Sequence, residues 1–121
     1  MKRLLSKLLI ILVLLSIGLP SSVYAAEVRS TPLDTTAIVV TNNAAGTPDT
    51  VVVQYAAIGD IINVYSSAIG GELFGTATAT VAGDLTASIT QLGRAAGNVY
   101  ISITRKTLLE STRTSAVGYD A

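Results

Sequence analysis

The chain reads as an all-β protein, an antiparallel sandwich of seven short strands, and three observations say so. Runs rich in Val, Ile, Thr and Tyr recur at a spacing of about ten residues, as strands of a small sandwich or barrel do. Gly, Asn, Asp and Pro clusters separate those runs. Within the clearest runs, apolar and polar residues alternate with a period of two, the mark of a strand with one buried face.

Taken in order, residues 1–25 come first and do not belong to the sandwich. Lys2, Arg3 and Lys7 give a basic start with no acid, Leu8 to Leu19 is apolar apart from Ser16 and Gly18, and Pro20 breaks the run. Val23-Tyr24-Ala25 then supplies small residues at −3 and −1 of a signal-peptidase site, so the mature chain is expected to begin at Ala26. The apolar run is about 12 residues against the roughly 20 that span a bilayer, which argues for a cleaved leader and no permanent membrane span. Residues 26–36 carry Pro32 among Glu27, Arg29 and Asp34 with no apolar period, and read as an extended arm.

From residue 37 the strands follow: 37–42, 50–56, 61–67, 73–80, 85–91, 99–106 and 114–119. Asn42-Asn43 through Pro48-Asp49 joins the first pair, combining residues that tolerate positive φ with a proline that cannot donate to a ladder. Gly59-Asp60, Gly70-Gly71, Gly83-Asp84 and Gly97-Asn98 punctuate the next boundaries, and 107–113 has a helical turn as an alternative reading. Alternation assigns Leu85, Ala87, Ile89, Val99, Ile101 and Ile103 to the core, with Ile38, Val40, Val51, Val53, Ile62, Val64 and Val117 extending the list. Thr76, Thr78, Thr80, Thr86, Ser88, Thr90, Ser102 and Thr104 are expected to face outward. Seven strands in residues 37–121 suit an immunoglobulin-like or fibronectin-like sandwich, a single domain.

Composition excludes several kinds of chemistry. There is no Cys, so burial and sheet hydrogen bonds must stabilise an exported domain without disulfides. There is no His, which removes the usual general base and the commonest metal ligand; Ser–His and Cys–His nucleophilic sites and zinc or copper centres built on those residues fall away. Past residue 25, five basic residues face eight acidic ones, a net charge of −3 that argues against nucleic acid or anionic lipid as partner.

The order and spacing of Ile38-Val-Val-Thr-Asn-Asn43, Asp49-Thr-Val-Val-Val53, Gly59-Asp-Ile-Ile-Asn-Val-Tyr65, Gly93 to Ile103 and Glu110 to Ala121 resembles a repeat module of surface-layer and other cell-surface proteins of Firmicutes. The resemblance spans residues 37–121 and implies an Ig-like sandwich serving as a structural or adhesive spacer. It brings no catalytic residues with it. Such modules usually stand in tandem; here there is one copy. The expectation is a secreted, non-enzymatic subunit of an extracellular layer, matrix or appendage, partnered by itself or by the cell envelope through noncovalent contacts. Two alternatives are a filament subunit that donates its arm to a neighbour's sheet and a monomeric module for cell-wall polysaccharide.

Asp49, Asp60 and Asp84 sit beside turns where calcium ligands occur, but no D-x-D-x-D-G loop is present. Glu72, Glu110 and Asp120 have the chemistry of a glycosidase acid and base without a visible groove. Arg105, Lys106 and Arg113 read as solvated charges that discourage edge-to-edge pairing. Tyr65, Tyr100 and Tyr119 suit either cross-strand packing or a contact surface. No catalytic, cofactor-binding or metal-ligating residue is assigned, and no cofactor is expected.

Overall fold

The computed structural model describes residues 27–121, so the expected leader lies outside the described residues. A single 3₁₀ turn at Thr35–Ala37, capped by Asp34, leads into seven strands: β1 (Ile38–Thr41), β2 (Asp49–Ala56), β3 (Ile61–Tyr65), β4 (Leu73–Thr78), β5 (Gly83–Ile89), β6 (Gly97–Thr104) and β7 (Val117–Tyr119). They form two antiparallel sheets, ordered β1-β2-β5 and β4-β3-β6-β7, packed face to face. The seven-stranded sandwich expected from the sequence is therefore the fold. β4 sits beside β3 and not beside β5, so the order departs from that of a constant-type immunoglobulin domain. Among the described residues no helix is long and apolar enough to cross a membrane.

Alternation identified the core. Twelve of the thirteen expected residues are buried, and Val40 is half-buried against them. Ala56 and Ala79 join from strand ends. The two sheets come together along both long sides of the sandwich. On one side β4 meets β5, where Thr90 N–H donates to Phe74 O (3.1 Å) and Gly75 lies so close to Ser88 that a Cβ would fall 2.6 Å from its carbonyl oxygen. On the other side β1 abuts β7, and Asn42 Nδ2 donates to Asp120 O (2.9 Å).

Two local departures from the sequence reading have physical causes. β7 begins at Val117 and not at 114, because only half of each ladder pair runs through the backbone at Ser111 and Thr114, whose N–H groups donate to Ile103 O (2.8 Å) and Ile101 O (2.9 Å), while their hydroxyls take the other half: Ile103 N–H donates to Ser111 Oγ (3.0 Å) and Ile101 N–H to Thr114 Oγ1 (3.2 Å). The turn considered for 107–113 is confined to 105–108, closed by Leu108 N–H on Arg105 O, with Thr107 at φ +67°. The segment expected as an extended arm makes a contact of its own. It docks on its own domain, with Ser30 N–H on Leu109 O (2.8 Å) and Leu109 N–H on Val28 O (2.9 Å), a short parallel pairing beyond β7's side of the sheet.

β2 also carries a bulge. Val53 pairs with Leu85 and Ala56 with Gly83, so Gln54 and Tyr55 together oppose Asp84. The alternation of Asp49, Val51 and Val53 would carry Tyr55 into the core. The extra residue instead turns Tyr55 into solvent, 83% exposed, and puts the smaller Ala56 inside.

Candidate functional site

The outer face of the four-stranded sheet holds the densest group of polar side chains. Period-two alternation puts Asn63 and Tyr65 of β3 on that face, opposite Ser102 and Tyr100 of β6 in the ladder. The segment after β6 then returns along the sheet and lowers Glu110 onto them. Glu110 Oε1 accepts from Ser102 Oγ (2.5 Å), from Tyr65 OH (2.7 Å) and, at longer reach, from Asn63 Nδ2 (3.5 Å). Ser102, expected to face solvent, is instead completely buried, and Thr104 is half-buried. The cause is tertiary: the strand's alternation is intact, but a later segment covers its outer face.

Arg113 completes the group. Its guanidinium carbon lies 3.5 Å from the centroid of the Tyr65 ring, within cation–π range, while Nη1 donates to Ser67 O (2.7 Å) and Gly70 O (2.6 Å). The Ser102 hydroxyl, then the Tyr65 hydroxyl, with smaller help from Asn63 and the charge of Arg113, hold the Glu110 carboxyl below its ordinary range against the opposing effect of burial. Tyr65 moves the other way: partial burial and then the neighbouring Glu110 raise its hydroxyl above the usual value. Glu110 is thus an ionised acceptor at neutral pH and Tyr65 a protonated donor. A general acid needs the opposite displacement of its carboxyl.

Beside the cluster opens a cleft of about 490 Å³, whose wall includes Arg29, Tyr65, Glu110, Arg113 and the exposed Ile69. Arg29 Nη1 donates to Glu110 O (3.2 Å), so the N-terminal segment helps to build this wall.

The remaining carboxylates are distributed around the molecule. Asp49 is fully buried and clamps two loops at one end, accepting from Asn43 N–H at Oδ1 and Leu92 N–H at Oδ2, both at 2.6 Å. Asp60 is buried at the opposite end, where Oδ2 accepts from Ala57 N–H (2.8 Å) and is paired with Arg105. Asp84 is exposed on β5, several ladder positions from Asp49. Among the described residues no three acidic side chains converge as a metal site would require. Glu72 tethers its loop through the backbone, its N–H on Ser66 Oγ (2.8 Å), and Asp120 is exposed next to Asn42.

The basic cluster divides. Arg105 is ion-paired with Asp60, Lys106 lies along Gly59, and Arg113 belongs to the Glu110 group. Tyr65 and Tyr100 are cross-strand neighbours, whereas Tyr119 packs against the core with its hydroxyl near Gly97. Sequence reasoning missed Ser102 and Asn63, whose partner arrives from a non-adjacent segment, and Tyr55, whose exposure depends on the bulge. Comparison of the chain with protein-family models, with curated proteins and with solved structures gave no match.

Proposed function

We propose that the chain is a secreted, non-enzymatic structural protein, a subunit of an extracellular layer, matrix or appendage that associates with copies of itself. The observation that carries this reading is the distribution of its free surfaces. The two sheets come together along both long sides, while the four most exposed large apolar side chains, Tyr55, Ile58, Ile69 and Val81, project from the two ends. Large apolar groups held in solvent are contact surfaces in waiting. The export signal and the resemblance to surface-layer modules support the same reading. Its carboxylates also fit, since Asp49, Asp60 and Glu110 are engaged in holding loops and segments in place.

The test is fractionation followed by microscopy. Protein expressed with its leader should be recovered from the growth medium, cleaved before Ala26, and should form assemblies visible by negative stain. Full-length protein confined to the membrane fraction would overturn the export reading. The cleft beside Glu110 favours a second reading, a module for cell-wall polysaccharide, because Tyr65, two arginines and a carboxylate suit a polar glycan. Pull-down on purified wall polysaccharide, with retention lost in Glu110→Gln, would support it. The donor-arm variant has a structural cost, since Val28 and Ser30 already pair with Leu109 of the same chain.

A further inference from the structure

The two ends of the sandwich are built differently. At one end, the turns after β2 and after β4 are tied together by Gly59 N–H on Ala79 O and Ala79 N–H on Asp60 O, both 2.8 Å. Asp60 stiffens that end further through Ala57 N–H and Arg105. From this braced base project Tyr55, Ile58 and Val81, 83%, 62% and 67% exposed, all within two residues of the Ala56–Gly83 pair. Tyr55 is held there at φ +61°, a backbone region that a bulky side chain seldom adopts. A residue held at a strained φ with its aromatic ring in solvent points to a contact. Asp84 stands opposite it in the bulge, also exposed.

At the other end is a depression of about 400 Å³ between the loops after β1 and after β5. Its walls are pinned: Asp49 holds Asn43 and Leu92, and Asn42 Nδ2 donates to Gly93 O (2.8 Å). Small apolar Ala44 lines it, and so does the exposed Arg94, which makes no ion pair among the described residues. β2 runs from one end to the other, so knob and depression are separated by roughly 25 Å at about 3.3 Å per residue. No single copy can bring them together.

We propose that the Tyr55–Ile58–Val81 end of one copy seats in the Asn42–Ala44 and Gln91–Arg94 depression of the next, with Asp84 facing Arg94. The proposal rests on the self-assembly reading above and specifies its joint. The occupant is a second copy because the exposed carboxylate of Asp84 at one end can meet the exposed guanidinium of Arg94 at the other, and because two knob ends meeting would leave both depressions empty. Contact between different surfaces at opposite ends does not close on itself, so it yields linear chains.

The test uses the secreted protein and sedimentation velocity with negative-stain microscopy. Wild type should grow into linear assemblies with concentration. Tyr55→Asn and Arg94→Glu, each with unchanged far-UV circular dichroism, should sediment as monomers. A mixture of the two should stop at a one-to-one dimer, since each variant retains one working end, and Asp84→Arg with Arg94→Glu in one chain should restore long assemblies. If wild type assembles and the single variants assemble equally well, the joint is wrong and the self-assembly reading stands. Should wild type remain monomeric at every concentration, that reading falls and this joint with it. Should either variant lose its fold, Val81→Ser replaces Tyr55→Asn, and Ala44→Glu, which sets an acid in the depression against Asp84, replaces Arg94→Glu, the criteria being a monomer alone and a one-to-one dimer in the mixture.

Discussion

Ser102 and Ile101 are adjacent residues on opposite faces of β6, and both are fully buried for different reasons. Ile101→Ala is expected to cost about 2–5 kcal/mol through lost contacts and a residual cavity. Ser102→Ala removes a hydroxyl that donates to an ionised carboxylate, and is expected to cost about 1.5–3 kcal/mol instead of the negligible amount an exposed serine would give. Urea denaturation of both variants checks this; a loss below about 0.5 kcal/mol for Ser102→Ala would mean that Glu110 does not depend on it. Tyr55 presents the reverse case. Its φ of +61° suits Asn far better, so Tyr55→Asn should raise stability by about 0.5–1 kcal/mol in the same experiment, and a loss would show that the ring packs favourably where it stands. Stability and the proposed contact thus pull position 55 in opposite directions.

At the scale of elements, two contacts decide how segments meet. Gly75 lets β4 lie against β5; an added Cβ would meet Ser88 O at 2.6 Å and Ile89 Cγ2 at 2.9 Å. Gly75→Ala should therefore cost about 1–3 kcal/mol, read from the urea midpoint, because the clash is with backbone that cannot rotate away. Glu110 fastens the 109–114 segment over β3 and β6, and its effect depends on pH. Its folded pKa lies below the unfolded value, so the stability it contributes is present above about 4.5 and is lost as the pH falls through the lower folded value. The gap in urea midpoint between wild type and Glu110→Gln should be widest at neutral pH and should close as the pH falls from 4.5 through the lower folded value. A gap that stays constant with pH would assign the effect to shape alone. For Tyr65 the sign is opposite: its folded pKa is raised above 10, so its contribution is complete below pH 10 and is lost as the pH rises through the folded value.

These elements also mark where a sequence stops being readable. Strand positions and the core were legible because alternation is a local property, and Leu85-Thr-Ala-Ser-Ile89 or Val99-Tyr-Ile-Ser-Ile103 state their buried faces outright. The Glu110 cluster was not, since it joins residues from β3, β6 and a later loop whose path no alternation encodes. The bulge at Tyr55 was hidden for a related reason: it breaks the period by one residue, and only the burial of Ala56 in place of Tyr55 reveals the break. Loop aspartates illustrate a third limit. Asp49 and Asp60 sit beside turns as calcium ligands do, yet their partners are backbone amides and an arginine, a choice set by loop geometry and not by residue type.

Across the whole molecule, the two sheets meet along both long sides and the two ends are dissimilar, an arrangement suited to joining copies in series. The three apolar side chains at one end make a small contact, well under the roughly 1,600 Å² of a standard interface, so single joints should be weak and assembly should depend steeply on concentration. The most direct measurement is the sedimentation velocity of wild-type protein recovered from growth medium, taken over a broad range of concentration. Weight-average mass rising continuously, with no plateau at a dimer, is the result expected of end-to-end association. A monomer at every concentration would contradict the account.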